Sequence, residues 1–337
     1  MQHYARRLAF KAAMLLSGVL ATTYLPYLIL GLWNRFFGGW KSVFYCYAGS
    51  SNYIDAYAPG ILTNAFRWRP VPIGILKHDG TRGVVIASPV SEEQFLDPAN
   101  ARHFASLQLR IRRIASLLGV EQINLAGILP GVAHSQGILK LRDNRPIVQH
   151  AVCAAIAELV GSRFDGIWPP IILIGGAGHV GKPVAEALVA KCREVYIVDP
   201  RAKHEVLPGQ LKGKACLVVD ISRKGVIDGY VQQMWPGTVL LNETFPRPPR
   251  ATLAALSRQH VEAWHLSGLA GSITPPLPFG YENAVPCCAA HHAPEVPEVR
   301  LIQMTWPEKE SVPMPREARL PAHSTTKQSF QAALTDR

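Results

Sequence analysis

The feature that most constrains this fold is a regular alternation of apolar runs and amphipathic stretches between residues 171 and 267. The apolar runs have the length and composition of buried strands, and the stretches between them have helical periodicity. Strands separated by helices are typical of βαβ units, whose crossovers make successive strands parallel. The sequence therefore predicts an α/β fold with a doubly wound parallel sheet in this part of the chain.

A glycine pattern lies at the first strand–helix junction of this region. Gly176, Gly178 and Gly181 form G-x-G-x-x-G directly after the apolar run IILIG and at the start of an amphipathic helix. In that context the first glycine permits a tight turn, the second lets the backbone approach a pyrophosphate, and the third lets helix and strand pack closely. The N–H groups at the start of the helix then bind the phosphate charge. We therefore expect a Rossmann-type dinucleotide site that also includes His179 and Val180.

The choice of cofactor depends on the end of the second strand. Asp199 lies there and would accept hydrogen bonds from ribose hydroxyls, while its charge would repel a 2′-phosphate. This favours NAD, whereas the cations Arg201 and Lys203, which follow at once, favour NADP. Both cofactors remain open. The alternative to a cofactor site is a glycine-rich turn in a Rossmann-like domain that has lost its ligand or binds another nucleotide.

Polar residues also end the next two predicted strands. Asp220 ends the third strand, and Asn242 and Thr244 end the fourth. Carboxyl ends of parallel strands line the crevice that holds the nicotinamide half of a dinucleotide, so these residues are candidate cofactor ligands. Simple roles as helix caps and turn residues are the alternative.

Before residue 166 the sequence predicts a smaller α/β domain that would bind substrate. A hairpin with its turn at Asp79–Gly80, a helix over 100–118, a strand over 122–128 and a helix over 146–160 compose it. The predicted layout is a hydrophobic segment at 1–58, this domain at 59–165, the dinucleotide-binding domain at 166–290 and a Pro-rich, disordered tail at 291–337.

The amino-terminal segment favours contact with a membrane. Residues 12–33 carry no charge, and this uncharged stretch is long enough to span a bilayer. Residues 31–47 combine seven aromatic side chains with two cations. Because Pro26 and the pair Gly38–Gly39 would break a helix, we favour a re-entrant or interfacial anchor over a simple span or a secretory signal. A buried core hairpin of a soluble protein is the alternative.

Charge and cysteine content limit the partners. The net charge of +11 favours anionic partners: a nucleotide, an acidic carrier protein or an anionic membrane surface. Nucleic acid is not expected, because the cations are scattered rather than arranged in a basic stripe. The six cysteines form no C-x-x-C pair, which indicates a reducing compartment. We expect a cytoplasmic protein attached to the membrane from one side, with no metal site and with a homo-oligomer possible.

Three residues are candidates for catalysis. Cys287 and Cys288 follow Pro286, where a helix start would stabilise a thiolate and His291 could accept a proton. Packing in the core is the alternative for both cysteines. His134 ends the LPGVAH turn after a first-domain strand and is a candidate acid for protonating an alkoxide.

The order of motifs resembles that of long-chain acyl-(acyl-carrier-protein) reductases and, more loosely, of shikimate-dehydrogenase-like Rossmann proteins. The motifs that carry the resemblance are LGVEQINLAGILPGVAH, RPIVQHAVCAAIAEL, IGGAGHVG, LLNETFPRP and AVPCCAA. The resemblance implies that Cys287, or Cys288 in another register, takes an acyl group as a thioester before hydride delivery releases an aldehyde. Ala290 stands where that family has an acidic residue.

These observations lead to three hypotheses. The first is an NAD(P)H-dependent reductase that acts at a membrane surface on a lipophilic carbonyl or an acyl thioester presented by a carrier. The second is a dehydrogenase of a small hydroxy or amino acid, which needs neither cysteine. The third is a membrane-tethered NAD(H)-binding protein without turnover.

Overall fold

The computed structural model describes most of the chain up to Trp306. The described residues are 12, 16, 18–19, 22–49, 54, 60–137, 145–199, 206–277, 284–291 and 297–306. Arg201, Lys203 and the predicted tail beyond Trp306 lie outside them. The compact unit that contains both sheets ends at Trp306.

The helices are α1 (Leu25–Phe37), α2 (Gly60–Phe66), α3 (Glu92–Leu96), α4 (Ala101–Leu118), α5 (Leu129–Ser135), α6 (Arg145–Arg163), α7 (Gly181–Val189) and α8 (Arg250–Arg258). The strands are β1 (Trp40–Ala48), β2 (Val71–His78), β3 (Thr81–Ser91), β4 (Gln122–Leu125), β5 (Ile171–Ile174), β6 (Val195–Val198), β7 (Cys216–Asp220), β8 (Thr238–Asn242), β9 (Glu262–Ala270), β10 (Ser272–Thr274), β11 (Ala284–Val285) and β12 (Val299–Met304).

The first sheet has the order β10-β2-β3-β1-β4. β1 pairs parallel with β3 and β4, while β2 is antiparallel to both β3 and β10. The predicted hairpin is confirmed: Asp79 and Gly80 connect β2 to β3 with φ of 47° and 68°, the left-handed values that a tight hairpin turn requires. The predicted helix over 100–118 is α4, which ends at Gly119 with φ of 68°.

The second sheet is the predicted doubly wound sheet. Its parallel strands have the order β6-β5-β7-β8-β9. β12 pairs antiparallel with the outer edge of β9, and β11 pairs antiparallel with the last two residues of β9 on the other edge. The order reverses between β5 and β7, and ligands bind at such reversals outside the carboxyl ends of the strands. One element differs from the prediction, because the helix expected over 226–234 is two short 3₁₀ turns, Val226–Gly229 and Val231–Gln233. Gly229, a poor helix former, ends the first of them.

Three elements belong to a different part of the fold than the predicted segment in which they lie. β1 lies inside 1–58 but is an inner strand of the first sheet, with Val43, Phe44 and Tyr45 buried. α6, expected in the first domain, packs its apolar face on the strands of the second sheet. β12 lies in the tail predicted as disordered, and its backbone pairs antiparallel with the free edge of β9.

The prediction of an interfacial segment over 31–47 is wrong for its second half. The aromatic side chains from residue 40 onward that suggested a headgroup layer are mostly core side chains of β1, because hydrophobicity alone does not distinguish a lipid from a protein interior. Pro26 lies in the first turn of α1, where its missing N–H costs nothing, and Gly38 and Gly39 end the helix as expected. No helix in the described part of the chain has the length and apolar character needed to cross a membrane.

Candidate functional site

The glycine-rich loop between β5 and α7 has the close contacts that the motif predicts. A β-carbon on Gly181 would overlap the carbonyl oxygen of Gly175, so only glycine lets α7 begin this near the strand. The sharp turn falls one residue earlier than predicted: Gly175, not Gly176, has a left-handed φ of 86°. A β-carbon on Gly175 would also lie 2.8 Å from the Cα of Ser222, after β7. The loop is therefore held between two adjacent strand ends.

A cavity of about 850 Å³ adjoins this loop. It is lined by residues that follow β5, β7 and β8 in the second sheet and β1, β3 and β4 in the first. Carboxyl ends of parallel strands from both sheets thus face one space, which is the usual position of ligand sites in open α/β sheets. Of the predicted site residues, the lining includes Gly178, His179, Val180, Asp199, Thr244, His134, Cys287 and Cys288.

The residues present fit a dinucleotide. Gly178 borders the cavity without a side chain, and α7 begins three residues later, so the positive end of the helix dipole lies at the loop. Within the first turn of α7 the N–H groups of Lys182 and Val184 donate to the carbonyl oxygens of Gly178 and Val180. Asp199 is only 7% exposed and faces the same cavity one residue after β6. Arg201, which bears on the choice between NAD and NADP, lies outside the described residues.

Asp220 and Asn242 hold the loops of the site. Asp220 is buried, and its Oδ1 accepts hydrogen bonds from the backbone N–H of Ser222, at 3.1 Å, and from the Ser222 hydroxyl. The side-chain amide of Asn242 donates to the carbonyl of Thr244 at 2.7 Å and lies 2.9 Å from Nδ1 of His265. Both side chains are engaged within the protein, so the turn roles considered as the alternative describe them better than direct cofactor contacts.

The two cysteines face the cavity, but their surroundings disfavour a thiolate. They occupy a short 3₁₀ turn, Cys287–Ala289, rather than the start of a long helix. Burial, followed by the negative charge of Glu243, raises the pKa of Cys287 well above the ordinary value of a thiol. Burial likewise raises the pKa of Cys288 to about 11. The helix start that was expected to stabilise a thiolate is a single 3₁₀ turn, and the catalytic role of the two cysteines stays a prediction.

The two candidate histidines occupy different places. His134 is an exposed residue of α5 that lines the cavity, so it borders both the cavity and the solvent. His291 is buried instead against His78, with 5.9 Å between the ring centroids. His291 packs in the core against the hairpin and is not among the residues that line the cavity.

Glu243 is a cavity residue that was not predicted. It follows β8 directly, its backbone N–H donates to the carbonyl of Asp220 at 2.9 Å, and its side chain lines the cavity. The residue is partly exposed and borders the cavity, so its side chain is within reach of a molecule bound there. Burial, and secondarily the charge of Asp220, raises the pKa of Glu243 to about 8. The signal in the sequence was an acidic residue between the two strand-end residues Asn242 and Thr244, whose own side chains are uncharged.

His265 on β9 also lines the cavity but cannot supply a proton at neutral pH. Its Nδ1 lies 3.0 Å from the carbonyl of Asn242, in register with the end of β8. Burial, and secondarily the charge of Arg247, lowers the pKa of His265 to about 3. The imidazole is therefore neutral, and Glu243 is the buried acid of the described cavity lining that stays protonated near neutral pH.

The wall opposite the glycine loop is mostly apolar with a few polar groups. Phe44, Ile73 and Leu125 contribute apolar surface from the first sheet. The Tyr47 hydroxyl donates to Glu92 at 3.1 Å, and burial raises the pKa of that tyrosine. Lys224 lies where the two sheets meet, its ammonium donating to the carbonyl of Gly49 at 3.0 Å. The lining thus combines an apolar chamber with two exposed cations, Arg223 and Lys224.

Comparison with known proteins gives fold-level similarity only. No protein-family model matches the chain, and no curated protein matches it. Among solved structures it is similar to L-tryptophan dehydrogenase from Nostoc punctiforme, at 12% identity and a TM-score of 0.32 over 66% of this chain and 68% of that one. A methylenetetrahydrofolate dehydrogenase/cyclohydrolase from Campylobacter jejuni matches at 12% identity and 0.34 over 82% and 93%. A shikimate dehydrogenase in complex with NADP+ matches at 10% identity and 0.33 over 67% and 84%.

None of these three is an acyl reductase, and at these values none of them informs on the substrate of this chain. The fold is assigned from strand order and register, which define a doubly wound α/β sheet joined to a second, mixed sheet.

Proposed function

We propose that this chain is an NAD(P)-dependent oxidoreductase that interconverts a carbonyl and a hydroxyl group on a small substrate bound in the cavity. The observation that carries the proposal is the cavity itself. It extends from a glycine loop with dinucleotide geometry to a buried carboxyl group at the end of β8. Its volume of about 850 Å³ is in the range of small-ligand sites.

The residues that would hold the cofactor are those of the loop and of the strand ends. Gly178, His179 and Val180 would receive the pyrophosphate at the start of α7, and Asp199 would receive the adenine-side ribose. When bound, the nicotinamide supplies or accepts the hydride. Asp220 and Asn242 act one layer behind, where they fix the loops that shape the cavity.

Glu243 is the proposed proton donor. As a hydride reaches the carbonyl carbon, the carbonyl oxygen gains the π electron pair and takes the proton of the Glu243 carboxyl group, which leaves a hydroxyl and a carboxylate. In the opposite direction the carboxylate accepts the hydroxyl proton. A pKa of about 8 keeps the acid form dominant at neutral pH, so reduction should slow as the pH rises through that value.

A cation at the edge of the cavity favours a substrate that carries an anionic group. Lys224 is exposed and places its ammonium beside Gly49, after β1. It could therefore pair with a carboxylate while the apolar wall holds the rest of the molecule. These features support a small hydroxy or oxo acid more than a long acyl chain.

A second candidate is reduction of an acyl thioester, favoured by two thiols in an apolar wall. The raised pKa values of both thiols weigh against it, because the thiolate is the nucleophile. Cys287→Ser and Cys288→Ser, made one at a time, separate the two reactions. Hydride exchange through Glu243 should survive both changes, whereas acyl transfer should be abolished by the change at the thiol that carries the acyl group.

The test is a turnover assay with NADH and NADPH against panels of oxo acids, hydroxy acids and acyl thioesters. We expect turnover of an acid substrate, retained in Cys287→Ser and in Cys288→Ser and reduced about 100-fold or more in Glu243→Gln, since a general acid contributes on the order of that factor. Gly161→Ala is the matched control, because nothing lies within 4 Å of the added methyl group. Turnover of thioesters that is lost in Cys287→Ser or in Cys288→Ser would replace the proposal by the second candidate. Cofactor binding without turnover of any substrate would favour the non-catalytic hypothesis.

A further inference from the structure

Helix α1 packs one face tightly on the protein. Tyr27 and Gly31 are buried there, and a β-carbon on Gly31 would overlap the carbonyl oxygen of Leu117 in α4. The side-chain amide of Asn34 donates to the carbonyl of Leu118 at 3.0 Å. This face fixes α1 firmly against α4, so the orientation of the opposite face is also fixed.

The opposite face is an exposed apolar surface, called here the α1 stripe. It consists of Leu25, Leu28, Ile29, Leu32, Trp33, Phe36 and Phe37. Their spacing of three and four residues places them along one side of the helix. Phe36 is 81% exposed and Phe37 is 70% exposed, values rare for aromatic side chains of a protein that contacts water alone. The stripe therefore indicates a surface that contacts something less polar than water.

The charge around the stripe identifies that partner. The first 54 residues contain five Lys and Arg residues and no Asp or Glu. Two of these cations, Arg35 and Lys41, are exposed beside the aromatic end of the stripe. Two copies of such a surface would repel each other, whereas an anionic surface would attract it.

We propose that the α1 stripe docks on an anionic lipid surface, with the helix lying parallel to the membrane and its aromatic end in the headgroup layer. Aromatic side chains beside cations are favoured in that layer, and apolar area together with basic charge sets the strength of such binding. The inference rests on α1 and its surroundings and is independent of the proposed reaction.

Flotation of the full-length protein with vesicles tests the proposal. We expect flotation with vesicles of phosphatidylcholine and phosphatidylglycerol, little flotation with phosphatidylcholine alone, and weakening at high salt. Phe36→Glu combined with Phe37→Glu should lower partitioning about tenfold or more. Ile167→Glu combined with Val189→Glu is the matched control, because these apolar residues are equally exposed but lie elsewhere, and it should float like the unaltered chain.

Three results would overturn the proposal. The first is that the unaltered protein does not bind anionic vesicles. The second is that the stripe variant floats as well as the control. The third is a concentration-dependent dimer in light scattering that Phe36→Glu with Phe37→Glu converts to monomer, since the stripe would then be an interface between two copies. Circular dichroism of each variant checks that the exposed substitutions leave the fold intact.

Discussion

Replacement of Glu243 by glutamine should make the protein more stable at alkaline pH while it lowers activity. The pKa of Glu243 is about 8 in the folded protein and 4.5 as the ordinary value. Between these two values the folded state keeps a proton that the unfolded state releases. The free energy of unfolding contributed by this group is therefore highest below pH 4.5, falls as the pH rises to about 8, and is flat above.

The size of the effect follows from the shift. At 1.36 kcal/mol per unit, the difference between 4.5 and about 8 corresponds to at most about 5 kcal/mol. Because the residue is partly exposed at the cavity, we expect about 2–5 kcal/mol in practice. Glutamine has nearly the same shape and cannot ionise, so the variant avoids this loss. Its melting temperature should exceed that of the unaltered chain by about 4–10 °C at pH 9 and be nearly equal at pH 4.5.

Urea denaturation and differential scanning fluorimetry at pH 4.5, 7 and 9 measure this difference. Glu298→Gln is the control, because that side chain is 68% exposed and pairs with Arg300 at the surface, where such pairs contribute little. A variant at Glu243 that is equally or less stable than the unaltered chain at pH 9 would refute the reasoning. The carboxyl group would then be ionised and paired, and it could not be the acid of the site.

Three further predictions follow from other contacts. Asp220→Asn should lower the pKa of Glu243, so the fall of the reduction rate at alkaline pH should move to lower pH in a pH–rate profile. An unchanged profile would mean that the two carboxyl groups do not interact. Gly31→Ala should destabilise the protein by about 1–3 kcal/mol in urea denaturation, because the methyl group meets a backbone carbonyl of α4, whereas Gly161→Ala in an open helical position should not destabilise it. Asp199→Ala should weaken NADH binding more than NADPH binding in parallel titrations, and an equal loss for both would remove Asp199 from the ribose site.

The second sheet was predictable because its signals are local. Each strand of the sheet is a short run of apolar residues, and G-x-G-x-x-G has a meaning fixed by the strand before it and the helix after it. These signals depend on neighbours in sequence, so they gave the order of the elements and the position of the loop. Even here the sharp turn lies at Gly175 and not at the predicted Gly176. The backbone of Gly175 lies close to Ser222, a contact that the local sequence does not reveal.

The rest depends on contacts between distant residues. β1 was mistaken for an interfacial segment because its aromatic side chains fit a membrane surface as well as a core, and only pairing with β3 and β4 distinguishes the two. Glu243 was missed for the same reason. A carboxyl group becomes an acid near neutral pH through burial and through Asp220, which lies on another strand. The pKa of Cys287 is raised first by burial and then by the charge of this carboxyl group, neither of which is visible in the sequence near the cysteine.

The central claim is that the loop between β5 and α7, together with its cavity, binds a nicotinamide dinucleotide. Isothermal titration of the full-length protein with NADH and with NADPH tests it most directly, beside Gly178→Val, whose side chain would fill the space at the loop, and Gly161→Ala as control. We predict saturable binding of at least one dinucleotide to the unaltered chain and to the control, and its loss in Gly178→Val. Folded protein that binds neither dinucleotide at millimolar concentration, or a Gly178→Val variant that binds as well as the control, would contradict the claim.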